Sequence, residues 1–408
     1  MERFLSKRII FLALTIILFL TAWNRGIPLL YLMFSLLLAT LLLGHLLPQM
    51  VLGRIDVERL APKVAVAGDV VRLSFFLRNR GFFPRFMVEV IDTFPCGEYG
   101  KTEPMLFVSS LSPRSEVNRE LHIPCAVRGE YMLGPLQVAS AFPLGLARRQ
   151  KTIAGHSPRI LVYPATFPIP DIPIKPMSAK HREAGESLSI AGGSEEFFGI
   201  REYRDGDSIR MVHWPSSARR NQLLVKEMEV RVSAQVTLLL DLNTLAHAGK
   251  GSAHSLEYVI KIAASICLHT LERHHQVQLM SYGERLHLSP CRSGKEHLQE
   301  LMTMLAKVKI GQMPFLQLIQ RADAVMQDGQ SVILVCSGRS LDSLQMRQAL
   351  ALLQAKRMQS IVVMVETDGF GGSDYSNLQT VLTSSTTRFY RMGKDDSFTT
   401  LFAINGMK

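Results

Sequence analysis

The sequence predicts a multidomain protein in which two transmembrane helices precede an all-β, sandwich-like domain and a doubly wound α/β domain. Three observations predict this order. Two apolar stretches stand at the start of the chain, period-two patterns follow them, and buried strands then alternate with amphipathic helices. The 408 residues are enough for two or three domains, each with a core of its own.

Residues 1–53 are predicted to form a helical hairpin with spans over about 9–24 and 27–48. The first span carries no charge, and the second follows Arg25 and is uncharged apart from His45. The second exceeds the roughly 20 residues that cross a bilayer, whereas the first is at the short end of the range. The first also fits the apolar core of a signal peptide, but it lacks a small-residue cleavage site at its end.

Basic residues flank the hairpin on its outer ends, and the connecting turn holds only Arg25. Before the first span and after the second stand Arg3, Lys7, Arg8, Arg54, Arg59 and Lys63. The positive-inside tendency therefore places both ends and the large C-terminal region in the cytoplasm. Five cysteines at wide spacings, without a C-x-x-C pair, predict reduced thiols that suit this compartment.

Residues 54–163 predict the β domain, because short apolar–polar alternations are separated by turn signals such as Gly81 and Pro84. The predicted strands cover residues 70–78, 86–92, 116–125 and 131–139. No polar cluster suited to catalysis stands in this region, so we expect a spacer or an interaction module with an immunoglobulin-like sandwich. A proline-rich linker and a loop rich in small and charged residues follow at 164–195.

A segment at 196–231, which begins beside Glu195, alternates charges with aromatic residues. Between Lys180 and Arg231 the chain has nine Lys/Arg and nine Asp/Glu. A nucleic-acid surface is unbalanced and basic, and the net charge of +11 is spread thinly over the chain, so no nucleic-acid partner is expected. The balance predicts either an internal network of ion pairs or a protein-docking surface.

A hydrolytic or metal site is an alternative for this segment, because several carboxylates and an imidazole lie close together in sequence. These are Glu202, Asp205, Asp207 and His213. We expect instead that the arginines among them neutralise the carboxylates by bidentate pairing. Carboxylates paired in this way are poor general bases at neutral pH. Those arginines are Arg201, Arg204, Arg210 and Arg219. No catalytic residue is predicted, and we expect a protein that is not an enzyme.

Residues 232–408 predict the α/β domain. Strands are expected at 236–241, 276–281, 331–337, 361–365 and 388–392, and helices at 255–274, 295–308, 315–326 and 344–358. Ser255 is the expected N-cap of the first of these helices. Ligands of such sheets bind beyond the carboxyl ends of the strands, where Asp241 ends the first strand. No glycine-rich phosphate-binding motif follows a strand, so no nucleotide cofactor is predicted.

The segment 199–219 closely resembles the signature of a bacterial family, domain of unknown function 58. That signature, REY-x-x-GD-x-x-R-x-(I/V)-x-W-x-x-(S/T)AR, is matched by Arg201, Glu202, Tyr203, Gly206, Asp207, Arg210, Trp214, Ser217, Ala218 and Arg219. Pro215 departs from it, since the family usually has Lys or Arg there. A looser resemblance covers residues 51–364 and includes the family element RG-x-Y-x-LGP at 128–135.

The resemblance implies a bacterial inner-membrane protein with a von Willebrand factor A-like α/β domain. It also implies a scaffold or assembly factor that works with a MoxR-type AAA+ ATPase on envelope or metal-containing complexes. Von Willebrand A domains hold a divalent cation with D-x-S-x-S after the first strand. Here Asp241 and Asn243 match as candidate ligands for a cation such as Mg²⁺, with Ser337 and Asp342 as further candidates, whereas Leu245 has no ligating atom. The alternative functions are a metal-dependent hydrolase and an extracellular ligand-binding protein that uses Asp241.

Overall fold

The computed structural model describes residues 2–97, 100–102, 105–153, 157–174, 196–204, 207, 209–229, 233–374 and 387–402. The chain divides into two compact units. The first holds Met1–Ala165 with the short stretches Lys250–Ala253 and Met302–Val308. The second holds Thr166–Gly249, His254–Leu301 and Lys309–Lys408.

The chain begins with a pair of antiparallel helices, α1 (Glu2–Arg25) and α2 (Pro28–Leu52), as the sequence predicts. Gly26 turns the chain with a φ of +64°, and Pro28 stands in the first turn of α2. The two helices contact each other through Phe19 and Phe34, whose ring centres lie 5.0 Å apart. Within the described residues, α2 is the one helix long and apolar enough to cross a membrane, while the apolar part of α1, Ile9–Arg25, is shorter.

Between residues 55 and 163 the first unit contains β-strands, which agrees with the β-rich character predicted for this region. The strands are β1 (Ile55–Leu60), β2 (Val64–Val66), β3 (Val70–Asn79), β4 (Arg85–Ile91), β5 (Phe94–Gly97), β6 (Gly100–Thr102), β7 (Met105–Leu111), β8 (Glu116–Pro124), β9 (Gly129–Met132), β10 (Gln137–Ser140), β11 (Arg149–Thr152) and β12 (Arg159–Tyr163). They form sheets in the orders β1-β3-β8, β11-β10-β4-β7 and β2-β12-β9, with β5 paired to β6.

The core of this unit includes the end of α2. Val51 and Leu52 are buried in the same cluster as Leu73, Phe75 and Val88 from the sheets. The apolar alternation along β3 explains its place here, since every second side chain of that strand is buried. The N-terminal helix pair therefore continues without a linker into the packed β domain.

The region 131–139, which the sequence predicts as one strand, is divided into β9 and β10. Gly134 donates its N–H to the Thr93 carbonyl at 2.8 Å, and a Cβ on it would lie only 2.4 Å from the Thr93 side chain. Its carbonyl accepts from Arg59, which pairs with the buried Asp92. This close approach requires glycine and bends the chain out of the sheet, so the alternation alone misplaced the strand ends.

The described part of the proline-rich segment, 164–174, contains no helix or strand, as its composition predicts. Within the second unit it is packed against other residues. Phe167, Ile169 and Ile172 are buried, and the Phe167 N–H donates to the Ser265 hydroxyl at 3.0 Å. The predicted mobile loop at 179–194 lies outside the described residues.

The second unit contains the predicted α/β alternation. The elements that follow residue 195 in the chain are β13 (Glu196–Glu202), α3 (Trp214–Arg220), β14 (Leu224–Glu229), β15 (Gln235–Leu240), β16 (Gly249–Lys250), β17 (Ala253–His254), α4 (Ser255–Glu272), β18 (Gln276–Tyr282), β19 (Leu286–Leu288), α5 (Lys295–Lys307), α6 (Phe315–Ala322), β20 (Ser331–Ser337), α7 (Ser343–Ala355), β21 (Gln359–Val365) and β22 (Arg388–Met392). The main sheet has the order β19-β18-β15-β20-β21-β22. All its neighbouring pairs are parallel except β18 with β19.

This order is the 3-2-1-4-5-6 arrangement of doubly wound sheets, whose topological switch point lies between the first and fourth strands, here β15 and β20. Helices α6 and α7 pack on the sheet around Leu239 and Leu334. The prediction of Ser255 as the N-cap of α4 is wrong by one residue. His254 is the cap and accepts the Leu256 N–H, while the Ser255 hydroxyl accepts the Ala248 N–H.

Candidate functional site

The signature segment forms a two-stranded ribbon with a short helix at its end. Strands β13 and β14 pair antiparallel, and α3 lies between them in sequence. Glu195, Asp205 and Gly206 lie outside the described residues, and the other signature residues are described.

An ion pair holds the loop after β13. The two guanidinium nitrogens of Arg201 donate to the two carboxylate oxygens of Asp207 at 2.6 and 2.7 Å. The Arg204 N–H donates to the same carboxylate at 2.9 Å. These donors lower the pKa of Asp207 to about 2, with the Arg201 hydrogen bond as the largest cause. The expected arginine–carboxylate pairing is therefore present for Arg201 and Asp207.

A second set of hydrogen bonds joins α3 to β14. The buried Ser217 hydroxyl donates to the His213 carbonyl at 3.0 Å and accepts the Leu224 N–H at 2.9 Å. His213 is the N-cap of α3, and its Nδ1 accepts the Ser216 N–H. Asn221 ends the helix in the left-handed conformation. The serine of the signature thus has a structural role that a hydroxyl-free residue would not fill.

The acid–imidazole alternative does not match this geometry. The carboxylate of Asp207 is occupied by Arg201, and the imidazole of His213 caps a helix. Glu202 is exposed at the end of β13. The described ribbon therefore does not assemble the acid and base that hydrolysis requires.

Of the remaining signature side chains that the structure describes, Tyr203 is half-buried and the others face solvent. Trp214 is 60% exposed and the neighbouring Ile209 is 69% exposed. Arg210, Ala218 and Arg219 are exposed as well. An exposed tryptophan and exposed arginines on a hydrogen-bonded support have the composition of protein-interface hot spots. We call these five residues the Trp214 face.

At the switch point of the main sheet, Asp241 and Asn243 lie in the turn that follows β15. The Asp241 Oδ1 accepts the Asn243 N–H at 2.9 Å, and the Asn243 Oδ1 accepts the Leu245 N–H at 3.1 Å. Each candidate ligand thus already uses an oxygen to fix the turn. Leu245 is exposed, in agreement with its lack of a ligating role.

Burial raises the pKa of Asp241 to about 6, and the neighbouring Ser340 hydroxyl and the Asn243 N–H oppose that rise. Burial also lowers the pKa of His247 to about 4, so its imidazole is neutral. Its Nε2 lies 2.9 Å from the Asp241 carbonyl and donates to it, and its Nδ1 lies 3.1 Å from the Ser255 hydroxyl, which donates to it.

Of the further candidates, Ser337 lies at the switch point and donates to the Ala246 carbonyl. Asp342 instead belongs to the capping box of α7, where it accepts the Gln345 N–H at 2.8 Å.

Sequence reasoning missed Asp374. Its carboxylate accepts from the Thr367 N–H and hydroxyl, at 2.9 and 2.5 Å, and fills the space beside Gly338. The polar, glycine-rich stretch after β21 is the signal that points to it.

No group of three or more His, Cys, Asp or Glu side chains that suits a metal ion occurs in the described part of the chain. Near Asp241, the Ser337 hydroxyl donates to the Ala246 carbonyl, and the Asp241 Oδ1 accepts the Asn243 N–H. A cation there would have one carboxylate as its charged ligand, with water in the other positions.

We expect Asp207→Asn to loosen the ribbon, because it removes the charge that Arg201 holds with two hydrogen bonds. Amide exchange at Arg204 and Leu224 should become several-fold faster. Glu202→Gln, at an exposed carboxylate of the same ribbon, is the matched control and should change neither rate. In the wild type the lowered pKa keeps the carboxylate ionised above pH 4. The protection should therefore stay constant from pH 8 to 4 and disappear as the pH falls through about 2.

We expect Asp241→Asn to stabilise the protein at neutral pH. A folded-state pKa of about 6, above the usual 3.8, means that wild-type stability falls as the pH rises from 4 to 6. The loss is of order 3 kcal/mol. The melting temperature of the detergent-solubilised variant should exceed that of the wild type at pH 7.5 and match it at pH 4. Asp328→Asn, at an exposed carboxylate, should show no such difference. A less stable Asp241→Asn variant at pH 7.5 would mean that a cation compensates the charge.

The family match covers the ribbon and most of the α/β domain: residues 199–384 match the family described as "Protein of unknown function DUF58". The "Uncharacterized protein YeaD" of Bacillus subtilis (strain 168) is 26% identical over 251 residues, which are 59% of this chain and 58% of that protein. The chain thus matches less than two thirds of its relative's length.

Among solved structures, a CARDB domain from Pyrococcus furiosus has a TM-score of 0.19 and 15% identity, covering 26% of this chain and 86% of that one. A GH20 exo β-N-acetylglucosaminidase from Vibrio harveyi has a TM-score of 0.20 and 9% identity, covering 77% of this chain and 57% of that one. Similarities this low support no inference about fold or function. The family resemblance rests on the signature and on the match of residues 199–384 to the DUF58 family, which covers less than half of the chain.

Proposed function

We propose that this protein is a membrane-anchored cytoplasmic scaffold or assembly factor that binds protein partners through the Trp214 face. The observation that carries the proposal is the combination of Trp214, Ile209 and Arg219 exposed on a ribbon that Arg201, Asp207 and Ser217 hold in place. It is not an enzyme in this account, because the signature's carboxylate and imidazole serve the ribbon itself.

Burial of a tryptophan and an arginine at the centre of an interface typically contributes more than 2 kcal/mol each. An exposed tryptophan on a preorganised support loses little side-chain entropy on binding, which favours affinity. The exposed Arg210 and Arg219 suit a partner surface that carries carboxylates. The resemblance to domain of unknown function 58 supports a MoxR-type AAA+ ATPase as that partner.

In this account both N-terminal helices cross the bacterial inner membrane. The apolar side chains that α1 and α2 expose suit lipid, and the basic residues outside the hairpin favour cytoplasmic ends. The α/β domain is von Willebrand factor A-like, which its strand order and the family resemblance support. Such a protein holds its partner at the membrane surface. There the partner acts on its clients in the maturation of envelope or metal-containing complexes.

The test is affinity purification of the full chain from detergent-solubilised membranes under conditions that trap nucleotide-bound ATPases. We expect an AAA+ ATPase to co-purify with the wild type and to fall at least about tenfold with Trp214→Ala or Arg219→Ala, since each removes 1.4 kcal/mol or more. Leu352→Ala and Arg347→Ala, at exposed positions of α7, are the matched controls and should retain the partner.

Thermal unfolding of each variant separates lost docking from lost folding. Because Trp214 and Arg219 are exposed, their variants should melt within a few degrees of the wild type. Absence of any ATPase from the wild-type complex would contradict the partner. Equal loss in the α7 controls would contradict the Trp214 face as the docking site.

A further inference from the structure

A second exposed aromatic cluster lies in the first unit, in the loop at 80–84 between β3 and β4. Phe82 and Phe83 are 63% and 69% exposed. Because both side chains are exposed, they contribute little to the core of the domain. The Trp214 face does not involve them, so they need an explanation of their own.

The loop is rigid, because a buried asparagine ties it to the domain. Asn79 donates to the carbonyls of Phe83 and Ser112 at 2.9 and 3.0 Å and accepts the Gly81 N–H at 2.9 Å. The Arg114 N–H also donates to the Gly81 carbonyl at 3.3 Å. These hydrogen bonds fix the backbone of the loop in a conformation that exposes both rings.

Contacts with α2 place this loop beside the end of the membrane helix. The side chain of Arg85, which directly follows the loop, donates to the Met50 carbonyl in the last turns of α2. The Arg80 N–H donates to the Arg54 carbonyl, just after the helix, at 2.9 Å. Both contacts lie within the first unit, so the loop and the helix end move together.

The β domain covers the last part of α2 over a considerable length. A Cβ on Gly44 would lie 3.1 Å from Leu146, and the Arg149 guanidinium lies 3.1 Å from the His45 ring. Pro48 and Leu52 are buried too. From Gly44 to Leu52 the helix rises about 12 Å.

The remaining part of α2 is too short to span a bilayer by itself. Residues 28–43 rise about 24 Å, whereas the hydrocarbon core is about 30 Å thick. A bilayer that covers this part therefore reaches the β domain where it packs on α2. Leu144, two residues before Leu146, is exposed.

Charges near the loop suit the headgroup region. Arg54 and Arg114 are exposed near the loop, whereas the exposed Arg80 pairs with Asp56, and the Arg114 guanidinium stacks 4.6 Å from the centre of the Phe82 ring. Aromatic rings flanked by arginines are the side chains that anchor proteins at the membrane interface.

We propose that the loop at 80–84 is a membrane-contact surface that inserts Phe82 and Phe83 at the headgroup boundary of a bilayer containing anionic lipid. This surface fixes the β domain against the membrane. The inference rests on the proposed membrane anchoring of α2, and the test below separates the two.

The test uses the full chain reconstituted in vesicles with lipids brominated near the carbonyl end of the acyl chains, which quench nearby tryptophans. Phe82→Trp and Phe83→Trp are each made in a Trp23→Phe, Trp214→Phe background. Both reporters should lose most of their fluorescence. The matched control is Val70→Trp, because Val70 is 60% exposed at the other end of β3, about 30 Å along the strand. It should keep its fluorescence.

A Trp214→Phe variant that retains Trp23 reports on the helix hairpin alone. If Trp23 is quenched while the loop reporters match Val70→Trp, the anchoring stands and the membrane-contact loop is wrong. If Trp23 is not quenched, the anchoring fails and the loop proposal with it. Vesicles with phosphatidylglycerol should give stronger quenching of the Phe82→Trp reporter than vesicles of phosphatidylcholine alone, and equal quenching would overturn the part played by anionic lipid.

Discussion

The burial of the end of α2 in the β core is the constraint on which the first unit depends. Val51 and Leu52 are core residues of that unit, and the carbonyl of Met50 accepts from the buried Arg85. A cation at a helix C-terminus is favourable, and here it also satisfies a carbonyl that the helix leaves free. The helix cannot tilt or slide relative to the β domain without the loss of these contacts. The position of α2 and the packing of the β domain therefore depend on each other.

The signature segment separates two kinds of residue that look alike in sequence. Arg201, Asp207 and Ser217 are used internally, where they fix the loop, the short helix and β14. Trp214 and Arg219 lie on the outside of the same ribbon. The predicted ion-pair network is present between Arg201 and Asp207, whereas the docking surface remains a prediction. This division explains why a segment with balanced charge still exposes a tryptophan.

The sequence predicts the elements of the α/β domain well, because its strands are continuous apolar runs and its helices have strong periodicity. β20 and β22 match their predicted bounds. The failures have local causes. Gly134 breaks a strand through a close backbone contact that hydrophobic alternation cannot reveal. His254 caps α4 in place of Ser255, whose hydroxyl accepts a hydrogen bond from another loop.

At the switch point, the sequence predicts Asp241 as the acid that follows a strand. Asp374 was not predicted, since it is brought there by a loop that follows a different strand.

The exposure of Trp214 could not be predicted either, since tryptophan side chains are more often buried.

The most direct test of the docking account is photo-cross-linking in intact cells with a photoreactive phenylalanine at position 214, compared with the same group at position 352 on α7. The account predicts a defined adduct between the full chain and a cytoplasmic AAA+ ATPase from position 214, and none from position 352. Adducts at position 214 only with extracytoplasmic proteins, or the same adducts from both positions, would contradict it.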